Sequence, residues 1–139
     1  MPECVVHVIG QETTGLYRLG ERRCYDTFDE AMAAEGVSTW GPGASSRAAA
    51  TASSFVIGYH CDFYNLGTPC TSVVGSSCNG GWLNTSAAWN NRISSTQSGC
   101  PTIIHFDGAN LTGASALTSG AGPHNLVGFN NRTSSIQYL

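Results

Sequence analysis

The amino-acid sequence predicts a mainly β fold, a sandwich of two Greek-key motifs that follows a small N-terminal segment. From Phe55 onward, short runs of β-branched and aromatic residues alternate with turn residues at regular spacing. The segment 89–97 recurs forty residues later as 129–137, with Asn-Asn-Arg, Ser-Ser and Gln kept in both copies. A repeat at a fixed period indicates two copies of one supersecondary unit. Units of about forty residues with roughly four short strands each fit a sandwich of two sheets.

The N-terminal residues 1–37 are predicted to form a strand, its hairpin partner and a short helix. The β-branched run 4–10 favours the strand. Residues 16–19 follow the turn 11–15 and are predicted to pair with this strand as a hairpin. Thr27 and Glu30 have the spacing of a capping box, which predicts the start of a helix. Gly36 is typical of the residue that follows a helix end.

A linker and a β domain are predicted for the rest of the chain. Residues 38–54 are rich in Gly, Ser and Ala, which is typical of a linker. Residues 55–139 are predicted to be the Greek-key domain, with motif one over 55–98 and motif two over 99–139. Each motif begins with a strand that carries His-x-Asp. Because both copies occupy the same place in a structural repeat, we expect them to fix the hairpins by hydrogen bonds rather than to form an active site. The residues are His60 and Asp62 in motif one and His105 and Asp107 in motif two.

The composition excludes several classes of function. Only 11% of residues are charged, there is no Lys, and the net charge is −3. A nucleic-acid-binding protein would present a basic face, so we expect no nucleic-acid partner. No apolar run approaches the length that spans a membrane. No nucleophile-elbow, zinc-protease or phosphate-loop motif occurs, so we do not expect an enzyme.

Six Cys are many for a chain of 139 residues. None of them has the spacing of a zinc site, and an even number of scattered Cys in a small, turn-rich chain is typical of disulfides. We therefore expect three disulfides and a secreted, extracellular protein. Cys4 and Cys24 are predicted to pair because they alone lie in the N-terminal segment. The pairing of the other four is left open.

The repeated segments also carry a signature. Each has two Asn, two variable residues and two Ser, at 90–95 and at 130–135. In motif two, Phe106 is followed seven residues later by Gly113, whereas motif one has His60 in place of the aromatic residue. In these features the predicted β domain resembles the βγ-crystallin superfamily, whose domain is a pair of Greek-key motifs.

The resemblance implies a calcium site built jointly by the two motifs. In the family, the ligands are the hydroxyl at the fifth position, an Asn or Asp side chain and the main-chain carbonyl at the third position. All three kinds of oxygen suit Ca²⁺, and since every acidic option is Asn, we expect a weak affinity on the order of 10⁻⁴ M. The alternative is that these side chains only satisfy turn backbone, with no metal bound. The implied ligands are the side chains of Asn91, Ser94, Asn131 and Ser134 and the carbonyls of Arg92 and Arg132, with Asn90 and Asn130 shaping the loops.

The resemblance also suggests a function. Small secreted proteins of this kind include metalloproteinase inhibitors and killer-toxin-like antifungal proteins. We therefore expect a secreted, disulfide-stabilised, calcium-binding peptidase inhibitor whose partner is an extracellular protease. The predicted inhibitory segment is 70–81, held by Cys70 and Cys78, with 125–128 as a second candidate, because a braced loop loses less entropy on docking. The alternatives are an antimicrobial toxin-like protein and a structural or stress protein. The target and the oligomeric state are left open.

Overall fold

A computed structural model describes residues 2–37, 54–86, 89–119 and 122–139. The predicted linker therefore lies outside the described residues, apart from Ser54. The described residues form one helix and eleven strands, numbered in chain order: β1 Glu3–Gln11, β2 Tyr17–Leu19, β3 Arg23–Tyr25, α1 Phe28–Glu35, β4 Phe55–Phe63, β5 Gly67–Gly75, β6 Trp82–Asn84, β7 Ser95–Gln97, β8 Thr102–Gly108, β9 Thr112–Ser119, β10 His124–Asn125 and β11 Ser135–Tyr138. The helix is too short to cross a bilayer, and no described helix is a candidate membrane span.

The N-terminal segment contains the predicted hairpin and helix, together with one strand that the sequence did not predict. Strand β2 pairs antiparallel with β1, and the unpredicted β3 pairs with the other half of β1. Helix α1 begins after Thr27, whose side chain accepts a hydrogen bond from the backbone N–H of Glu30. It ends at Gly36, whose left-handed backbone, with φ 67°, is the conformation that glycine adopts without steric cost.

The strands form two sheets, as the predicted sandwich requires. The first sheet has the order β10-β7-β4-β5-β1-β2, with β3 paired to β1, and the second has the order β6-β11-β8-β9. Each motif keeps three strands in one sheet and gives its third strand to the other sheet, so that β6 completes the sheet of motif two and β10 that of motif one. The two motifs are therefore related by an approximate two-fold axis.

Two apolar clusters stabilise this arrangement. The larger one fills the space between the sheets and includes Phe55, Ile57, Leu83 and Ile136, all at most 2% exposed. The smaller one lies on the outer face of the first sheet, where α1 covers it through the buried Met32. The N-terminal segment thus shields one face of the sandwich. Burial of apolar side chains of this size stabilises the folded state by roughly 1.5 to 3 kcal/mol each.

Three disulfides reinforce the fold, and no described Cys is free. Cys4–Cys24 joins β1 to β3, which confirms the predicted pair. Cys61–Cys70 joins β4 to β5, and Cys78–Cys100 ties the segment before β6 to the segment before β8. Disulfides persist in oxidising environments, so they indicate an oxidising compartment for this chain.

The N-terminal strand β1 lies parallel to β5 and covers the edge that motif one would otherwise expose. The corresponding strand of motif two, β9, forms the edge of its own sheet.

The helix is fastened to the N-terminal strands by Glu35. Its carboxylate accepts hydrogen bonds from Arg23 at 3.0 Å and from Tyr25, and it lies 2.8 Å from the ring of His7. The hydrogen bond from Arg23 is the main cause that lowers the pKa of Glu35 to about 2.

Candidate functional site

The two signature loops lie side by side and are joined by reciprocal backbone hydrogen bonds. The N–H of Asn91 donates to the carbonyl of Thr133, and the N–H of Asn131 donates to the carbonyl of Ile93, both at 2.9 Å. Both Asn residues have a left-handed backbone, with φ of 59° and 60°. Asn adopts this conformation more readily than most residues. The loop backbone alone therefore explains the second Asn of each signature.

Each loop also presents a Ser hydroxyl to the Asn side chain of the other loop. Ser94 Oγ donates to Asn131 Oδ1 at 3.3 Å, and Ser134 Oγ donates to Asn91 Oδ1 at 3.1 Å. The structure thus brings the four predicted side-chain ligands together as two hydroxyl–amide pairs related by the approximate two-fold axis. Two oxygens at this separation can both lie within 2.3–2.6 Å of one Ca²⁺. The pairs accordingly have a spacing that a bound cation could use.

The Arg side chains of the signatures bind the Asp of the His-x-Asp segments. Arg92 Nε lies 3.1 Å from Asp62 Oδ2, and Arg132 Nη2 lies 2.8 Å from Asp107 Oδ2. Asp107 Oδ1 also accepts the N–H of Ala114 across the β8–β9 hairpin, as expected for a residue that fixes the hairpin. Exposed ion pairs of this kind contribute little stability. Their main effect here is to neutralise the two carboxylates beside the loops.

The first Asn of each signature has a different environment in the two motifs. Asn90 Oδ1 accepts a 2.6 Å hydrogen bond from the hydroxyl of Thr85, and its N–H donates to the carbonyl of Ser86. These two bonds fix the position of Asn90 within its own loop. Asn130 is exposed and lines a surface cavity instead.

The carboxylate of Asp62, which was predicted only to fix the hairpin, lines the same surface cavity as the Ser94–Asn131 pair. A surface cavity of about 370 Å³ is lined by Asp62, Phe63, Tyr64, Ser94, Asn130 and Asn131. Asp62 therefore adds a charged oxygen beside the hydroxyl and amide oxygens of the pair. The sequence did carry a signal, because Asp62 lies next to the last residue of the strand that opens the same repeat. Arg92 would compete with a cation for this carboxylate.

These donors fit a weak site for a hard cation. Hydroxyl, amide and carboxylate oxygens are the ligands that Ca²⁺ takes, whereas zinc sites use Cys and His. Within the described ranges, no group of three or more His, Cys, Asp and Glu side chains is placed to hold a metal ion. A site with at most one carboxylate has little charge to tighten binding, so a weak affinity remains the prediction.

The last Ser of each signature holds the hairpin of its own motif, a role that the sequence did not reveal. Ser95 is fully buried, and its Oγ donates to the carbonyl of Phe63 and accepts the N–H of Leu66 at 2.9 Å. Ser135 makes the same two bonds in motif two, at 2.6 and 2.9 Å. Leu66 has φ 57°, which is costly for a residue with a side chain. The Ser hydroxyl therefore stabilises a strained turn.

The two His of the repeat lie between the sheets, so the prediction that they fix the hairpins is wrong. Their rings meet edge to face across the two-fold axis, with centroids 5.3 Å apart. His60 is hydrogen-bonded to Thr96 and Tyr138, at 2.7 and 2.9 Å, and His105 to Thr133 at 3.1 Å. Burial lowers the pKa of both rings, that of His105 to about 3. They are core residues rather than part of a surface site.

The predicted inhibitory segment 70–81 does not form one loop, so this prediction is wrong. Cys70 lies inside strand β5 and bonds to Cys61 on the neighbouring strand, so it does not brace the segment 70–81 as a loop. Only residues 76–81 lie between β5 and β6, and Cys78 fastens them to Cys100. The β-branched residues after Cys70 continue the strand, and this shortens the loop.

Two solved structures are similar to this chain, both of a βγ-crystallin domain from Clostridium beijerinckii. A single mutant of that domain is 16% identical, with a TM-score of 0.46 over 59% of this chain and 97% of that chain. A double mutant is 18% identical, with a TM-score of 0.47 over 58% of this chain and 94% of that chain. No family model matches the sequence, and no curated protein matches it either. The exchanged third strands and the reciprocal signature loops, taken on their own, show a sandwich of two similar four-stranded motifs, as the sequence predicted.

Proposed function

We propose that the protein is a secreted, calcium-binding, non-enzymatic protein whose two weak cation sites lie at the reciprocal Ser–Asn pairs. The observation that carries this proposal is the pairing of Ser94 with Asn131 and of Ser134 with Asn91, each across the two motifs. A cation bound at either pair would link the two loops, and so would stabilise the folded protein. The three disulfides support a role outside the cell.

Calcium is expected to raise the melting temperature of the oxidised protein by several degrees. A ligand that binds only the folded state stabilises it by RT ln(1 + [L]/Kd), which is about 2.3 kcal/mol for a site of about 100 µM in 5 mM calcium. The measurement is a thermal melt in CaCl₂, in MgCl₂ and in EGTA. The Ser94→Ala/Ser134→Ala variant should lose the calcium-specific rise. Identical melts of the unsubstituted protein in calcium and EGTA would contradict the proposal and leave the signatures as turns.

Two further variants distinguish the site at Ser94 and Asn131 from the site at Ser134 and Asn91. Asp62→Asn removes the carboxylate beside Ser94 and should weaken one site only. Arg92→Gln keeps the backbone carbonyl but releases Asp62 from its ion pair, so it should strengthen the same site. Calorimetric titration with calcium reads both effects, and Arg132→Gln is the matched control on the other motif.

Inhibition of an extracellular peptidase is a second candidate function, favoured by the shape of the segment 125–128. Val127 is 80% exposed, whereas Leu126 and Phe129 on either side are 3% and 7% exposed. The N–H of Leu126 donates to the carbonyl of Ser94 at 2.8 Å, and the N–H of Phe129 to that of Leu126 at 3.0 Å. An exposed apolar side chain on a fixed turn loses little entropy when it enters a pocket of a protease.

If this segment inhibits a peptidase, Val127→Asp should abolish inhibition in a panel of extracellular metallo- and serine peptidases. Leu117→Asp is the matched control, because Leu117 is 62% exposed on strand β9. Equal inhibition by the two variants would exclude Val127 as the contact. No feature of the described residues favours the toxin-like or stress-protein alternatives over these two functions.

A further inference from the structure

The hairpins of the two motifs have the same backbone but different exposed side chains. Both turns carry Asn-Leu in the left-handed region, with φ between 57° and 59°, and both are held by a buried Ser. The two residues before Asn-Leu are Phe63 and Tyr64 in motif one but Gly108 and Ala109 in motif two. Motif two therefore shows that the turn forms without aromatic residues. The aromatic pair calls for an explanation other than folding.

Phe63 and Tyr64 expose their rings to solvent. They are 61% and 42% exposed, in a chain whose other large apolar residues are mostly buried. Neighbouring exposed aromatic side chains on a rigid turn are typical of a contact surface, because they offer a large apolar area with few rotatable bonds. Phe63 is the last residue of strand β4, and Tyr64 is the first residue of the turn.

The surroundings of this aromatic pair are polar and nearly neutral. Both rings line the 370 Å³ cavity beside Ser94, and an adjoining cavity of about 320 Å³ is lined by Asp62, Phe63, Asn91, Arg92 and Asn131. Among the residues that line the two cavities, only Asp62 and Arg92 are charged, and they pair with each other. Arg22 is not part of the lining but lies close enough to interact electrostatically with both. Amide groups both donate and accept hydrogen bonds, so this surface suits a ligand with many hydroxyl groups and no charge.

We propose that this aromatic pair and the surrounding amide side chains bind a neutral polysaccharide. The aromatic rings would pack against the apolar face of a sugar ring, while the side chains of Asn91, Asn130 and Asn131 would bond its hydroxyls. Both cavities are open to solvent, which favours a chain that lies across the surface over a small molecule enclosed in a pocket. Asn91 and Asn131 also belong to the proposed cation sites, but Phe63 and Tyr64 do not, so we expect the aromatic rings to bind the polysaccharide when calcium is absent.

The test is affinity electrophoresis of the oxidised protein in EGTA, through gels that contain laminarin, mannan, glycol chitin or hydroxyethyl cellulose. At least one of these neutral polysaccharides should retard the protein. Phe63→Ala/Tyr64→Ala should weaken the retardation about tenfold, in proportion to the loss of aromatic packing. Tyr64→Phe keeps the ring and should bind as the unsubstituted protein does. Melting curves establish that all variants are folded.

Three results would overturn the proposal. The first is that none of the four polysaccharides retards the protein. The second is that the double Ala variant is retarded as strongly as the unsubstituted protein. The third is that sedimentation shows a concentration-dependent dimer that the same variant abolishes, which would assign the aromatic pair to contact with a second copy of this chain. The calcium melts are a separate measurement, so failure of either proposal is recognised independently.

Discussion

Lowering the pH from 7.5 to 5.0 should reduce the free energy of unfolding by about 4 kcal/mol, because two buried histidines stay neutral in the folded protein. The pKa of His105 falls to about 3 on folding, and that of His60 is also lowered well below its usual range, in both cases through burial. Their polar partners are neutral hydroxyls, on Thr96, Thr133 and Tyr138. A histidine with a lowered pKa contributes fully above the unfolded value of about 6.5, and its contribution is lost as the pH falls from there.

Urea unfolding at the two pH values measures this loss, and His105→Gln is the variant that isolates it. The side-chain amide of Gln can still form a hydrogen bond with Thr133 but does not titrate. The loss of unfolding free energy between pH 7.5 and pH 5.0 should therefore be about half as large in the variant. Glu35 does not interfere, because its pKa is lowered to about 2 and its contribution is lost only below about 4.5. Burial raises the pKa of Glu3, so this group favours the folded state more as the pH falls, opposite to the histidines. This effect is the same in the unsubstituted protein and in the His105→Gln variant. An unchanged slope in the variant would contradict the assignment.

Replacing the last Ser of both signatures should destabilise the protein by about 5 kcal/mol, whether or not calcium is present. Ser95→Ala leaves the carbonyl of Phe63 and the N–H of Leu66 without their partner in a turn that is already strained, and Ser135→Ala does the same in motif two. The two substitutions remove four part-buried hydrogen bonds, and each such bond contributes about 0.5 to 1.5 kcal/mol. Chemical unfolding in EGTA, and again in calcium, measures the effect.

The preceding Ser provides the matched comparison. Ser94→Ala/Ser134→Ala removes two hydroxyls whose partners, Asn91 and Asn131, are exposed to solvent. In EGTA it should cost less than about 1 kcal/mol, because water can replace the lost bonds. The signature would thus divide into one Ser for the hairpin and one for the cation. Equal costs for the two double variants would contradict this division.

Much of the fold could be predicted because local patterns and tertiary structure agree. The repeated signature fixed the number of motifs, and the capping residues Thr27 and Gly36 marked the ends of the helix. The disulfide between Cys4 and Cys24 was predictable because only these two Cys lie in the N-terminal segment. In each case one short stretch of sequence contains all the information that the prediction needs.

What the sequence did not reveal depends on contacts between distant segments. Strand β3 is only three residues long and is held by its pairing with β1, so it has no periodicity of its own to detect. His60 and His105 were expected to fix the hairpins because both occupy the same place in the structural repeat. Their alternation within the strands instead places both rings on the inner face, where the two motifs meet. Asp62 became a candidate ligand only when β4 was placed beside the loop of motif two.

The exchange of β6 and β10 also bears on how such a chain could arise. A single motif keeps three strands in one sheet and lacks the fourth, which its neighbour supplies. A lone ancestral motif could complete its sheet only by trading that strand with another copy of itself, as a symmetric homodimer. Duplication and fusion of the gene would turn this dimer into one polypeptide and free each half to diverge. Phe63-Tyr64 and Gly108-Ala109 are one place where the two halves differ.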